Sequence, residues 1–323
     1  MSGPAPANRL VVPVVVLAVL LAAPPFLSSY VLTLLTQSLI YAIVAMSLDL
    51  LLGYLGLPSL GHAAYLGVGA YSVGILTSRY GAGFGTVLPV GVGLALILAA
   101  VFGLLALRAT GVYFLMITLA LGMVAWGLAY RWVSLTQGDN GISGLPRPDV
   151  PLPWSLAGAI PFYYFALAGF LLALGVLWLI VHSPFGMSLV GVRESETRMR
   201  TLGYHVWLHK YLGFVISGGV AGFGGVLWAY YNGFVGPTDL DLSTSVEVLL
   251  MVALGGRATL LGPALGAGII VFLKNLVSVY TQRWLLILGA AYIGTIVYAP
   301  EGIVGAVRRL SEATEPAPAR PEA

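Results

Sequence analysis

Two acidic residues and a histidine sit where a long apolar chain has least reason to carry them: Asp49 in AMSLDLLLGY, Glu247 in STSVEVLLMVALG and His62 in PSLGHAAYLG. An ionised carboxylate within hydrocarbon costs at least about 2.5 kcal/mol unless it faces a cavity or a partner. Asp49 and Glu247 are therefore candidates for carrying a proton or an ion, or for touching a polar solute in transit. Each also lies near the end of its apolar run, and snorkelling to the membrane interface accounts for both equally well. His62, three residues after Ser59, either hydrogen-bonds across helices or packs between small neighbours. With no Asp, Glu or His at ligand spacing it makes no metal site. The chain has no cysteine, which removes disulfides, thiol nucleophiles and Cys-bound metals. No paired acid and base and no Ser-His-Asp order stands out, so no catalytic residue is assigned and a membrane-embedded enzyme ranks last.

The elements that must position these residues are apolar helices. Only 8% of the 323 residues are charged and 59% are hydrophobic, with a mean hydropathy of +0.95; a soluble domain carries roughly 25% charged residues. At about 20 apolar residues per crossing, candidate spans fall near 10–28, 30–53, 61–79, 86–107, 112–130, 158–182, 211–232, 244–255, 260–278 and 283–299. The first reads as an anchor rather than a cleaved signal. The eighth is too short to cross as an ordinary helix. The fold class is an all-α polytopic membrane helix bundle of eight to ten transmembrane helices, forming a single domain over 1–310 with a Pro-, Ala- and Glu-rich disordered tail at 311–323. If all ten cross with the N-terminus inside, ten of the fifteen Lys and Arg lie on the inner side, which places both termini in the cytoplasm.

Several runs are not plain spans. GGVAGFGG, 218–225, carries small-xxx-small pairs that let helices approach closely. LGYLGLPSLGHAAYLGVGAY, 52–71, adds Pro58, Ser59 and His62 to its glycines. Irregular backbone at membrane depth survives only where protein or a water-filled cavity satisfies its polar groups, so this stretch is expected to face inward, at a pathway. GGRATLLGPALGAGI, 255–269, echoes it faintly: Gly61 and Gly67 parallel Gly262 and Gly268 in spacing, the trace an internal repeat of interrupted helices leaves.

Two loops are long. In 183–210, on the inner side, Leu189, Val192, Met199 and Leu202 share one helical stripe and Gly203 supplies a stop. Glu194 with Arg198 and Glu196 with Arg200 form i,i+4 pairs. This describes a short amphipathic helix outside the bilayer, either packed on the protein's own rim and headgroups or docking a cytoplasmic partner. In 131–157, on the outer side, Gly138, Gly141 and Gly144 stand beside Asp139 and Asn140, followed by prolines. That loop is a connector, a lid or a docking surface.

SLDLLLGYLGLPSLGHAAYLGVGAY, GVYFLMITLALG, LTQGDNGISGLP, SPFGMSLVGVRESETRMRTLGY, VEVLLMVALGGRATLLGPALGA and APEGIVG run in order from about residue 46 to 305. In these six blocks the chain resembles the inner-membrane permease subunits of branched-chain amino acid ABC importers, the LivM type. The resemblance implies a bacterial or archaeal cell membrane, a second permease subunit alongside, two cytoplasmic ATPase subunits beneath and an extracytoplasmic substrate-binding protein. No nucleic-acid partner is implied. It implies that the segment from Met187 to Gly203, with Leu189, Val192, Arg193, Glu194, Glu196, Arg198, Met199 and Leu202, is the coupling helix seated in an ATPase groove. Of the EAA signature of ABC importers only Glu194 or Glu196 and Gly203 remain. The outer Thr136, Gly138, Asp139, Asn140 and Gly141 would face the binding protein or help close a gate, with Gln137 standing where the family more often has Gly.

The chain itself has no G-x-x-x-x-G-K-[ST] loop, so ATP and Mg would belong to the partner ATPase subunits and no cofactor to this chain. Ser59, His62 and Tyr65, with Asp49 and Glu247, are the expected substrate pathway. Members of the family also serve urea, short amides and other amino acids. The rival reading is a secondary transporter driven by an ion gradient, with Asp49 and Glu247 as its coupling carboxylates.

Overall fold

The computed structural model describes residues 18–149 and 155–281, together with 286, 287, 289, 290, 293, 294 and 302–305. Backbone N–H and C=O groups find no partner in lipid, so a chain this apolar must satisfy them within helices. The long ones are α1 (Ser29–Asp49), α2 (His62–Tyr80), α3 (Phe84–Ala106), α4 (Val112–Arg131) and α5 (Ala159–His182). Two short helices follow, α6 (Pro184–Glu194) and α7 (Glu196–Thr201), then α8 (Val206–Asn232), α9 (Leu242–Gly255) and α10 (Leu261–Tyr280). Six helices among the described residues are long and apolar enough to cross a membrane: α1 with its extension to Tyr54, α3, α4, α5, α8 and α10.

The helices form two shells. The spans of α1 and α8 are 78% and 72% buried, whereas those of α3, α4, α5 and α10 are only 28–33% buried. α2 joins the inner group, with His62 to Leu66 all buried. Enclosed by protein, α2 needs no leucines for lipid, which explains why 19 residues rich in Gly, Ser and Tyr can still be a membrane-depth helix. The glycines of α8 make this packing. A Cβ at Gly225 would collide with the Leu66 carbonyl, and one at Gly222 or Gly218 with the Ala95 or Ala99 side chain. The small-residue run is thus the surface on which α2 and α3 close.

Helix directions alternate. α1 descends to the end of the bundle that carries α6 and α7, α2 rises from it, and α9 descends to it again before α10 rises. At the opposite end β1 (Ile142–Ser143) pairs antiparallel with β2 (Phe234–Val235), Ile142 opposite Val235. The 14 residues of α9 reach about 21 Å at 1.5 Å per residue, short of a full crossing as expected. The first part of the candidate span 10–28, up to residue 17, most of 283–299 and all of the tail 311–323 lie outside the described residues. Where 10–28 is described, it stops early: Pro24–Phe26 is a 3-10 turn and Leu27 is extended. α8 begins five residues before the expected 211, at Val206.

Candidate functional site

The first interruption follows Asp49. α1 continues as a π-helical turn, Leu50–Tyr54, and the chain then runs irregularly to Gly61 before α2 begins. Gly56 here has φ +72°, a conformation glycine adopts without strain. The freed backbone groups are met one by one. Leu57 N–H donates to Leu51 O at 2.8 Å. Leu60 N–H donates to Thr118 Oγ1 on α4 at 3.2 Å, Gly61 N–H to Ser59 Oγ at 3.3 Å, and Ala63 N–H to Ser245 Oγ on α9 at 3.1 Å.

The second interruption, Gly256 to Leu260, joins α9 to α10. It is held by Asp49, which accepts from Ala258 N–H at 2.8 Å and from Leu260 N–H at 3.3 Å. Both donors have positive φ, 57° and 54°, a strained state for residues other than Gly. Thr259 Oγ1 donates to Gly256 O at 2.8 Å and accepts from Gly262 N–H at 3.1 Å. Asp49 is fully buried. It does not snorkel: its carboxylate is the acceptor that lets the second break exist.

The two glycine-bearing stretches singled out in sequence therefore meet. Between them opens a cleft of about 600 Å³ lined by Leu52, Gly53, Gly56, Pro58, Leu115, Arg193, Leu249, Ala253 and Arg257. Its wall is apolar side chains and glycine backbone, with two guanidinium groups at the α6–α7 end. Ser59, His62 and Tyr65 are not among these lining residues. All three are fully buried behind the break. His62 Nε2 lies 2.9 Å from Ser217 Oγ, and Ser217 Oγ donates to Ser47 O at 2.5 Å. That hydroxyl proton is already given to the carbonyl, so Nε2 carries the donor proton and Nδ1 is bare. Nδ1 and the neighbouring Tyr65 hydroxyl have no hydrogen-bond partner.

Glu247 also stays buried rather than snorkelling, 4% exposed, because Lys274 on α10 donates to both its oxygens at 2.8 and 3.0 Å. Thr118, Ser217, Ser245, Lys274 and Arg257 complete the site and were missed in sequence. The signal available for Thr118 and Ser217 was a lone Ser or Thr hydroxyl in an apolar helix, and for Ser245 the last of three hydroxyls, Ser243 to Ser245, at the start of one.

The inner loop differs from the single helix expected. Ser195 is extended, φ −163° and ψ 102°, and its hydroxyl caps α7 by accepting from Arg198 N–H at 3.3 Å. The segment is thus a helix pair. Leu189, Val192 and Met199 are buried as predicted, but Leu202 is 66% exposed, since α7 ends at Thr201 and Leu202 stands past its last turn. The same break separates Glu194 from Arg198: Glu194 pairs instead with Arg193, at 2.6 Å. Glu196 keeps its i,i+4 partner Arg200 at 3.5 Å and also pairs with Lys210, tying α7 to α8. Gly203, φ +87°, ends α7 with Tyr204 N–H on Met199 O and its own N–H on Arg200 O, both at 3.0 Å.

At the opposite end the outer loop is pinned. Thr136 Oγ1 reaches Ala129 O at 2.6 Å and accepts from Gly138 N–H at 3.2 Å. Gln137, Gly138 and Gly141 all have φ near +60°. A Cβ at Gly141 would meet Val235 O, so the strand pair needs glycine there. Asp139 and Asn140 point outward at the tip, exposed. Arg147 Nη1 donates to Tyr230 O at 2.8 Å and its guanidinium sits 4.0 Å over the Phe162 ring, fastening the loop's exit. Asp239 takes the Trp228 indole N–H at 2.9 Å and Gly236 N–H at 3.0 Å; burial pushes its carboxyl above its ordinary pKa, and those two donors oppose the rise.

Residues 30–298 match the family described as branched-chain amino acid transport system, permease component. The chain is 30% identical over 317 residues to the high-affinity branched-chain amino acid transport system permease protein LivM of Escherichia coli strain K12, covering 91% of this chain and 75% of that one. It is 25% identical over 321 residues to the probable branched-chain amino acid transport permease protein LivM of Methanocaldococcus jannaschii, covering 82% and 90%. A shorter likeness, 27% over 180 residues and about half of each chain, is to the autoinducer 2 import system permease protein LsrC of Salmonella paratyphi B. No solved structure matches the chain. With the family match spanning most of its length and its apolar helices stacked as a bundle, the chain is a multi-pass membrane protein and belongs to the family of permease components of branched-chain amino acid transport systems.

Proposed function

We propose that this chain is a pore-forming subunit of an ATP-driven importer for branched-chain amino acids or close relatives, working by alternating access and catalysing no reaction itself. The observation that carries the reading is the cleft: two interrupted helices converge on it, and its wall includes Arg193 from the helix pair outside the bundle. An apolar cleft with guanidinium groups suits a small solute that has an aliphatic side chain and a carboxylate.

In this reading α6 and α7 sit in a groove of one of two cytoplasmic ATPase subunits, which hold ATP and Mg. The exposed Asp139 and Asn140 face a substrate-binding protein, a second permease subunit lies alongside, and both termini are cytoplasmic in a bacterial or archaeal inner membrane. The pathway is the cleft together with Ser59, His62 and Tyr65, whose bare Nδ1 and hydroxyl become solute contacts when the bundle opens. The gradient-driven alternative loses its carboxylates, since Asp49 serves backbone N–H groups and Glu247 serves Lys274.

The test is to co-purify the tagged chain with its partners and reconstitute the assembly in vesicles with the binding protein. Leucine, isoleucine or valine should enter only with ATP, and Asp in place of the exposed Met187 and Leu202 should release the ATPase chains while leaving this chain folded. Uptake driven by a proton or sodium gradient without ATP would overturn the reading. Uptake of urea or short amides in preference to leucine would keep the machine and replace the cargo.

A further inference from the structure

Arg193 ties the helix pair to the first break. Its Nη1 donates to the carbonyl of Gly53, the residue that closes into the π-helical turn, at 2.5 Å. Its Nε and Nη2 both go to Glu194 Oε1, at 3.1 and 2.6 Å, so the guanidinium is braced from behind by its own helix. The stem matters as well as the head. A Cβ at Gly56 would lie 2.8 Å from Arg193 Cγ, so the irregular backbone rests directly against the arginine's methylenes.

The linkage continues inward. A Cβ at Gly53 would run into both the Asp49 carboxylate and the Ala258 nitrogen, and Asp49 in turn holds Ala258 and Leu260. From α6 to the second break there is an unbroken series: a charge-assisted hydrogen bond, a glycine with no slack, and a carboxylate shared by two amides. Pull is carried by the Arg193 hydrogen bond and push by its stem against Gly56. Charge-assisted hydrogen bonds of this kind are about twice as strong as neutral ones.

We propose that Arg193 is a positioning residue that makes α6 and the segment from Gly53 to Pro58 move as one body, and through Asp49 sets the second break, so that the cleft changes shape whenever the helix pair moves. This rests on the importer reading above. It adds that the drive enters the membrane through one side chain rather than through general packing.

The experiment uses the whole transporter in vesicles and reads solute taken up per ATP hydrolysed. Arg193→Met keeps the stem and removes the donor head. The ratio should fall about tenfold, corresponding to about 1.4 kcal/mol of lost coupling. A residue that only packs would lower uptake and hydrolysis together, so an unchanged ratio overturns the proposal. Because the chain has no cysteine, a second variant offers one pair to oxidise, Gly56→Cys with Arg193→Cys, and the strain of a side chain at φ +72° is common to its oxidised and reduced forms. A Cβ at Gly56 lies 3.7 Å from that of Arg193, inside the roughly 3.5–4.5 Å a disulfide spans. Oxidation should raise the ratio above that of the same protein reduced, since a covalent tie replaces the arginine. Blocked uptake on oxidation would mean that the two parts must separate, and would overturn it. Should Arg193→Met fail to assemble, this oxidised-against-reduced comparison decides alone. Wild-type vesicles that need no ATP would instead remove the importer reading before any variant is compared.

Discussion

Between Leu57 and Ala63 the stray backbone N–H groups go to neutral oxygens, the Leu51 carbonyl and the hydroxyls of Thr118 on α4, Ser245 on α9 and the local Ser59; at Ala258 and Leu260 they go to a single carboxylate, Asp49 on α1. For its N–H groups the first break spreads support over several helices, with one modest bond from each, while its Gly53 carbonyl takes the Arg193 guanidinium. The second concentrates it, and must do so, because Ala258 and Leu260 stand at positive φ and that strain of about 1–3 kcal/mol each has to be offset locally. A break held by scattered hydroxyls can adjust as its helices shift, while one held by a buried carboxylate keeps its shape. In a permease the first is suited to be the lip of the cleft that bends, and the second an edge that is carried along without changing its own shape.

The largest effect is therefore expected at Asp49. Asp49→Ala orphans two buried N–H groups, each costing about 1–3 kcal/mol, and releases the strained loop. The purified chain in detergent should lose about 2–5 kcal/mol, read as a lowered thermal midpoint, and Asp49→Asn, retaining one carbonyl oxygen, should lose about half of that. A cost for Asp49→Ala no greater than for a single hydroxyl removal would erase the contrast between the breaks. Next comes Gly53→Ala, which forces a methyl between the Asp49 carboxylate and the Ala258 nitrogen. Overpacking of that kind costs about 1–3 kcal/mol. Thr118→Val, of the same shape but without the acceptor for Leu60 N–H, should cost about 1–2 kcal/mol by the same measurement, and Ser245→Ala about 1 kcal/mol.

The breaks themselves were legible in sequence, since Gly and Pro inside an apolar run have few other meanings. Their inward placement was legible too, from the rule that irregular backbone in lipid must be satisfied. What satisfies them was not. Asp49 and Ala258 are far apart in the chain, and nothing in SLDLLLG says that the carboxylate will meet an amide two hundred residues later. The hydroxyls are harder still, because Thr118, Ser217 and Ser245 look like any of the many Ser and Thr that bond their own helix, as Thr36 and Ser38 do to Leu32 O and Leu34 O. In the helix pair, the stripe of Leu189, Val192 and Met199 was readable by period, but Ser195 was not readable as a break. Its short polar side chain serves equally on an exposed helix face or as a cap, and only the packing of Met199 against Gly191 selects the cap.

The glycine parallel gives the finest test. Gly61 and Gly67 match Gly262 and Gly268 in spacing, and both breaks lead into helices rising from the same end. Yet the four positions do unlike work. Gly61 precedes α2 with its Cα facing the Thr118 carbonyl and Gly67 sits against the Leu240 side chain, whereas Gly262 lies inside α10 against Thr259 and the Gly255 and Gly256 carbonyls, and Gly268 has nothing within 4 Å. Alanine at Gly262 should thus cost about 1–3 kcal/mol, while at Gly268 it should leave the isolated chain unchanged or more stable by up to about 1 kcal/mol, the intrinsic preference of a helix for Ala over Gly. The same Gly268→Ala variant then separates two explanations of why a glycine stands there. If the assembled transporter is as stable as the wild type, spacing alone made the parallel. If the substitution is silent in the isolated chain but weakens the assembly, another subunit approaches α10 at that turn as closely as Leu66 approaches Gly225 within this one.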